Sequence, residues 1–239
     1  MQIDIEKWGK ENIIWVGNEH TNKSYRRRYL PELIVNHITE GTAQSCIDWF
    51  TSAGNKVSSA HFLVAKNGKV YQFVRIEDNA WANGLSEVDA KKSNVDIIRN
   101  RGVNPNWYSV SIEHEGIFAE TKGELTKPQL KSTINLHKYI IHYVNENFGT
   151  DIKADVDHIL GHNQIDPKRK PNCPGEKFPL VEIIKSIEYQ EISDVNLAVN
   201  ILYNHGIINS PEYWSKAKDV IKYQEQLYIN MANYIISKQ

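Results

Sequence analysis

Leu33-Ile34-Val35-Asn36-His37 is the stretch on which the fold turns. An apolar run with Ile and Val at its centre is the pattern of a buried strand rather than a helix, and it delivers His37 to the strand end. Outward from it, Thr42 reads as the N-cap of a helix through Phe50, closed near Gly54. His61 to Lys66 and Lys69 to Val74 flank Asn67-Gly68, a strong hairpin signal, so these two segments are expected to pair. Tyr108 to Glu115 alternates Val110, Ile112 and His114 against Ser109, Ser111, Glu113 and Glu115, a period-two strand with a polar face. Thr126 and Gln129 make a capping box, with Pro128 in the first turn, for a long helix ended by Gly149. Its expected buried stripe is Leu130, Ile134, His137, Ile141, Val144 and Phe148. Asp157 to Gly161 is a short strand leading into His162, with His158 in its interior, and Pro179 to Gln190 reads as a helix.

Strands alternating with helices imply a layered α/β domain over about residues 25 to 188. After Gln190 the character changes. Ser193 caps an apolar helix through Tyr203 with Gly206 at its C-terminal end, and Ser210-Pro211 starts another. The expected organisation is a domain over residues 1-188 and a small α-helical module over 189-239.

Twenty-eight basic against twenty-nine acidic residues leave a net charge of -1, so nothing global advertises a nucleic-acid or anionic-membrane partner. Arg26-Arg27-Arg28 reads as a solvated surface turn. Two cysteines are too few to staple a fold; Cys46 suits a buried helix position, whereas Cys173 sits in a proline-bounded loop. Met1 to Trp8 lacks a basic region followed by an apolar stretch, and no window nears the roughly 20 apolar residues that cross a bilayer. The expectation is synthesis in the cytoplasm without a signal peptide and no membrane insertion.

His37, His162 and Cys173 together form a set of two imidazoles and one thiolate. Such a set suits Zn2+ and leaves one tetrahedral position open for a water, as in catalytic rather than structural sites. Zinc of this kind hydrolyses amides by activating water and polarising the carbonyl. Glu113, on the polar side of its strand, is the candidate for managing the proton. Lys170 is the candidate for stabilising the oxyanion, with Lys168 and Arg169 competing for that role.

These residues fall in an order that resembles the type 2 N-acetylmuramoyl-L-alanine amidases, the zinc amidases that include phage lysins and the peptidoglycan recognition proteins. The likeness covers roughly residues 30 to 180. It rests on the apolar-x-His-x-Thr pattern at Val35 to Thr39, Ser59-Ala60-His61-Phe62, and the hairpin Asn67-Gly68. It continues through Ala80-Trp81-Ala82-Asn83-Gly84 and Ser111-Ile112-Glu113-His114-Glu115-Gly116, and closes on Gly161-His162 through Cys173-Pro174-Gly175.

The resemblance implies a central mixed β-sheet flanked by helices, with a zinc site in a surface groove. It implies His37, His162 and Cys173 as ligands, Glu113 as the acidic catalytic group, and Trp81 and His61 beside the substrate, His61 either in the groove or behind the ligands. It further implies hydrolysis of the amide joining N-acetylmuramic acid to L-alanine in peptidoglycan. One position departs: a lysine or threonine usually stands two residues before the last ligand, where this chain has Pro171, with Lys170 shifted by one. A phage or prophage endolysin, reaching the wall through a membrane lesion, is the leading expectation. A host recycling amidase and a non-catalytic peptidoglycan-binding protein of the same fold are the alternatives. The C-terminal segment resembles helical tails of some lysins, which implies wall attachment or self-association, or else a cover for the catalytic domain.

Overall fold

The computed structural model describes residues 4–188, 195–211, 213–214 and 224–237. Within residues 5–187, which form one compact unit, the helices are α1 Ile5–Asn12, α2 Ala43–Phe50, α3 Glu87–Ala90, α4 Asp96–Arg101, α5 Phe118–Thr121, α6 Lys127–Phe148 and α7 His162–Ile165, with α8 Leu180–Glu188 at its end. The strands are β1 Ile13–Trp15, β2 Lys23–Tyr25, β3 Leu33–Ile38, β4 Phe62–Val64, β5 Val70–Gln72, β6 Asp78–Ala80, β7 Ser109–His114 and β8 Ile159–Gly161.

Six strands form one mixed sheet in the order β1-β5-β4-β7-β3-β8, and β2 pairs with β6 in a separate ribbon. β4, β7, β3 and β8 run parallel to their neighbours, so their carboxyl ends gather on one edge, while β5 is antiparallel to β4. The hairpin between β4 and β5 forms where Asn67-Gly68 announced it, with Gly68 in the left-handed region at φ 85. The strand β1 adds to the sheet edge through β5. It is three residues long and mostly exposed, which is why no periodicity marked it.

Because side chains alternate across a strand, one face of the sheet collects Ile34, Phe62, Val64, Val110 and Ile112 against Leu136, Ile140 and Val144 of α6. The opposite face presents Leu33, Val35, Leu63, Ser109, Ser111, Glu113 and His37. That face is covered by α2, by the 78–108 region and by α7. The serines of β7 are therefore buried between layers rather than solvated, and Glu113 at its end is half-buried at the groove.

The capping box of α6 forms as expected and Gly149 ends the helix with φ 65. The buried stripe is rotated from the expected one. It runs through Gln129, Thr133, Leu136, His137, Ile140 and Val144, with Leu130, Ile134, Ile141 and Phe148 only partly buried. The cause is Gln129, whose amide donates to the carbonyls of Val64 and Glu115 and so turns a polar position inward.

Two further expectations are corrected. Arg26 is 4 % exposed rather than solvated. Its guanidinium donates to the carbonyls of Ile76, Trp107 and Ser109 at 2.6, 3.1 and 3.0 Å, and burial lowers its pKa to about 9. His158 precedes β8 instead of lying within it, paired with Asp155 at 2.6 Å.

The described residues from 188 onward belong to a second compact unit. It contains α9 Val195–Asn204 and the helix Gln224–Ile236, whose Val199, Leu202, Tyr228 and Ala232 share a small apolar core. Gly206 follows α9 with φ 68, and Pro211 is helical. The expected cap, Ser193, lies outside the described residues. No helix among the described residues is long and apolar enough to cross a membrane.

Candidate functional site

The parallel register decides which side chains meet. His37 on β3 stands opposite Glu113 on β7, and Asn36 stands opposite Gly161 on β8. His162, the first residue of α7, therefore emerges beside His37, with ring centroids 4.3 Å apart. This is the carboxyl edge of the sheet, where open α/β folds hold ligands.

Cys173 arrives from a separate loop fastened at several points. Asn163 N donates to the Cys173 carbonyl at 2.6 Å, and Cys173 N donates to Lys170 O at 3.2 Å. The following Gly175 has φ 121, and a Cβ there would sit 2.2 Å from Lys122 O, so only glycine lets this loop close on the 121–123 turn. The Cys173 Sγ accepts from Ile38 N at 3.4 Å.

His37, His162 and Cys173 bring one ligand atom each to within 4.8 Å of the others. His37 Nδ1 lies 3.8 Å from Cys173 Sγ. Tetrahedral zinc with ordinary Zn–N and Zn–S bonds sets these two atoms about 3.6 Å apart, so the residues fit the ion. The protonation states fit as well. Burial holds His37 well below the usual imidazole range and lowers His162 to about 4, leaving both rings neutral. Burial, with Glu113 nearby, pushes the Cys173 thiol up to about 12, so a cation is what would make it a thiolate. Neither cysteine is in a disulfide.

The three groups open onto a groove of about 650 Å³. Glu113 lines it, and its Oε2 is fully buried without a hydrogen-bond partner. Burial raises this carboxyl to about 7, with Lys170 opposing and Glu40 reinforcing the shift. Lys170 lines the same groove. Arg169, though also at the groove, is tied to Asp166 and to Gly84 O at 2.8 Å, and Lys168 does not line it. Trp81 lines one wall, with its indole Nε1 donating to Ser24 Oγ at 2.7 Å.

His61 is not among the residues that line the groove, one of its two expected places. It is 1 % exposed, accepts from Ser111 N at 3.0 Å, and lies 2.9 Å from Arg26 Nη2. Standing just before β4, it ties that strand to Ser111 of β7. Asn83 carried a signal only through its segment, and nothing in three consecutive arginines marks which one turns inward.

The family described as N-acetylmuramoyl-L-alanine amidase matches residues 26–176. N-acetylmuramoyl-L-alanine amidase A of Achromobacter lyticus is 26 % identical over 157 residues, 61 % of this chain and 77 % of that protein. The 1,6-anhydro-N-acetylmuramyl-L-alanine amidase AmpD of Haemophilus influenzae is 28 % identical over 130 residues, 54 % of this chain, which spans 59 % of that relative's length. In fold, a selenomethionine AmpD derivative superposes with TM-score 0.55 at 21 % identity, covering 74 % of this chain and 94 % of that one. PlyL does so with TM-score 0.51 at 18 % identity, over 76 % and 98 %. A match across most of the α/β unit, on a fold that gathers His37, His162, Cys173 and Glu113 at one groove, places the chain in the N-acetylmuramoyl-L-alanine amidase family.

Proposed function

We propose that this amidase is zinc-dependent, that His37, His162 and Cys173 hold the metal, and that it serves as a phage or prophage endolysin. The observation that carries the zinc reading is the convergence of those three ligand atoms beside the buried Glu113 carboxylate in one groove. When bound, zinc supplies Lewis acidity and a water whose pKa falls toward about 7.

The chain's own residues do the rest. Glu113, with its pKa raised to about 7, is poised to take a proton from the nucleophile and return it to the departing L-alanine nitrogen. Lys170 offers an ammonium to the charge that develops on the carbonyl oxygen. Trp81 presents an aromatic wall to the muramyl peptide. His61 acts through the strand pair it ties rather than by touching substrate.

The compact C-terminal unit outside the matched residues supports the lysin reading, with wall attachment or self-association as its role. The likeness to the Haemophilus anhydromuramyl amidase favours a recycling enzyme as the second reading. Relative rates on intact walls and on soluble anhydromuramyl peptides separate the two. Metal analysis of the purified protein tests the site itself. The expected result is one zinc per chain, lost in Cys173→Ser together with activity. A Cys173→Ser protein with full zinc content and turnover would remove the ligand assignment.

A further inference from the structure

Trp49 of α2 is 47 % exposed and lines the same groove as His37, His162 and Cys173. Its indole is nonetheless held in place, because Nε1 donates to Ser58 Oγ at 3.0 Å. Ser58 is fixed in turn: its N donates to Asn55 Oδ1 at 3.2 Å, and its carbonyl accepts from Asn22 Nδ2 at 3.1 Å and from Asn55 Nδ2 at 2.8 Å. The wall continues through Ser59, whose Oγ accepts from Trp81 N at 2.9 Å. With Nε1 engaged on the protein, what Trp49 offers a ligand is the face of its ring.

Ser58 Oγ accepts the indole proton and keeps its own to give, since no acceptor among the described residues takes it and Ser58 lines the groove as well. An oriented aromatic face beside a hydroxyl donor matches a pyranose ring, which carries C–H bonds on its faces and oxygens around its rim. The helix sets how far this face lies from the chemistry. Trp49 follows the N-cap Thr42 by two turns, roughly 10 Å along the axis. The N-cap end is the one beside the ligands, since Ile38 N donates to Cys173 Sγ at 3.4 Å. A muramic acid ring, joined to the scissile amide by its short lactyl group, stays near that end.

We propose that Trp49 and Ser58 form a subsite for the sugar next to the muramic acid that bears the scissile amide. An N-acetylhexosamine stacks on the indole, and the Ser58 hydroxyl donates to one of its oxygens. Because both groups are held before the ligand arrives, little ordering has to accompany binding. The subsite rests on the muramyl-peptide reading above, and it makes the enzyme favour amides on a glycan strand over those on a lone muramic acid.

Calorimetric titration of Glu113→Gln purified with zinc, which is expected to bind without cleaving, tests this with two probes. One is muramyl dipeptide; the other is a tetrasaccharide of alternating N-acetylglucosamine and N-acetylmuramic acid with the dipeptide on its internal muramic acid. The tetrasaccharide is expected to bind about 10-fold more tightly, and Trp49→Ala in the same background to bring that ratio to about one. Ser58→Ala should lower the ratio about 3-fold, whereas Trp49→Phe keeps a ring face and should retain most of it. Equal binding of the two probes by the parent, or a ratio that survives Trp49→Ala, would overturn the proposal. So would a loss in Trp49→Ala shared equally by both probes, which is what a merely structural role produces. Wall digestion by the wild type keeps the two readings apart. L-Alanine amino termini released by a protein whose probes bind equally would sink the subsite and leave the amidase reading standing; a Trp49-dependent ratio without any cleavage would do the reverse.

Discussion

Burial is what lifts the Glu113 carboxyl to about 7. Its carboxyl loses its water on the inner face of β7 and gains no hydrogen bond at Oε2, so the proton stays on to about pH 7. Glu113→Gln is expected to keep the metal and to lose turnover by roughly 100- to 10,000-fold, measured on a soluble muramyl peptide. The same burial has a thermodynamic signature. The folded chain holds a proton that the unfolded chain releases between about 4.5 and 7, so this carboxyl makes the metal-free protein less stable as pH rises through that window. Relative to Glu113→Gln, wild type should lose on the order of 3 kcal/mol between pH 4.5 and 7. A constant difference across that range would deny the carboxyl its buried setting. Glu113 could be named from its place on an alternating strand, as could His37 at the end of an apolar run. Its burial could not, because serines and a glutamate on one face read as solvated until another layer is known to cover them.

At the scale of elements, the decisive fact is that β8, β3 and β7 are parallel and in register. The hairpin, the capped α6 and the strand ends were legible because turn chemistry and capping are local. The register was not, since it depends on pairings between segments far apart in sequence. Nor was the α6 stripe, where a buried Gln129 breaks the apolar pattern, or the short strand β1. Arg26 is the clearest long-range case, for it joins β7, the Trp107 turn and the Ile76 segment through three carbonyls. Arg26→Met leaves those carbonyls without their donor, at a cost of about 3 kcal/mol. Thermal unfolding should show this as a midpoint lower by about 10 °C. An unchanged midpoint would mean the guanidinium contributes no net stability.

For the molecule as a whole, five histidines are buried and held neutral by desolvation: His37, His61, His114, His137 and His162. The unfolded chain takes up protons on all of them as pH falls through about 6.5. The folded chain resists until about 4 at His137 and His162 and about 3 at His114. Stability is therefore lost as pH falls below about 6.5, at roughly 1.4 kcal/mol per histidine per pH unit, against the opposing carboxyl of Glu113. Unfolding midpoints of the metal-free protein should drop steeply between pH 7 and 5; a flat profile would contradict this. The family of the first unit was legible from the order of its motif segments, from Val35-Asn36-His37 to Gly161-His162 and Cys173-Pro174-Gly175. Digestion of purified bacterial walls with the zinc-loaded protein tests the central claim most directly. New L-alanine amino termini should appear while reducing sugar ends stay flat, and their failure to appear would contradict it.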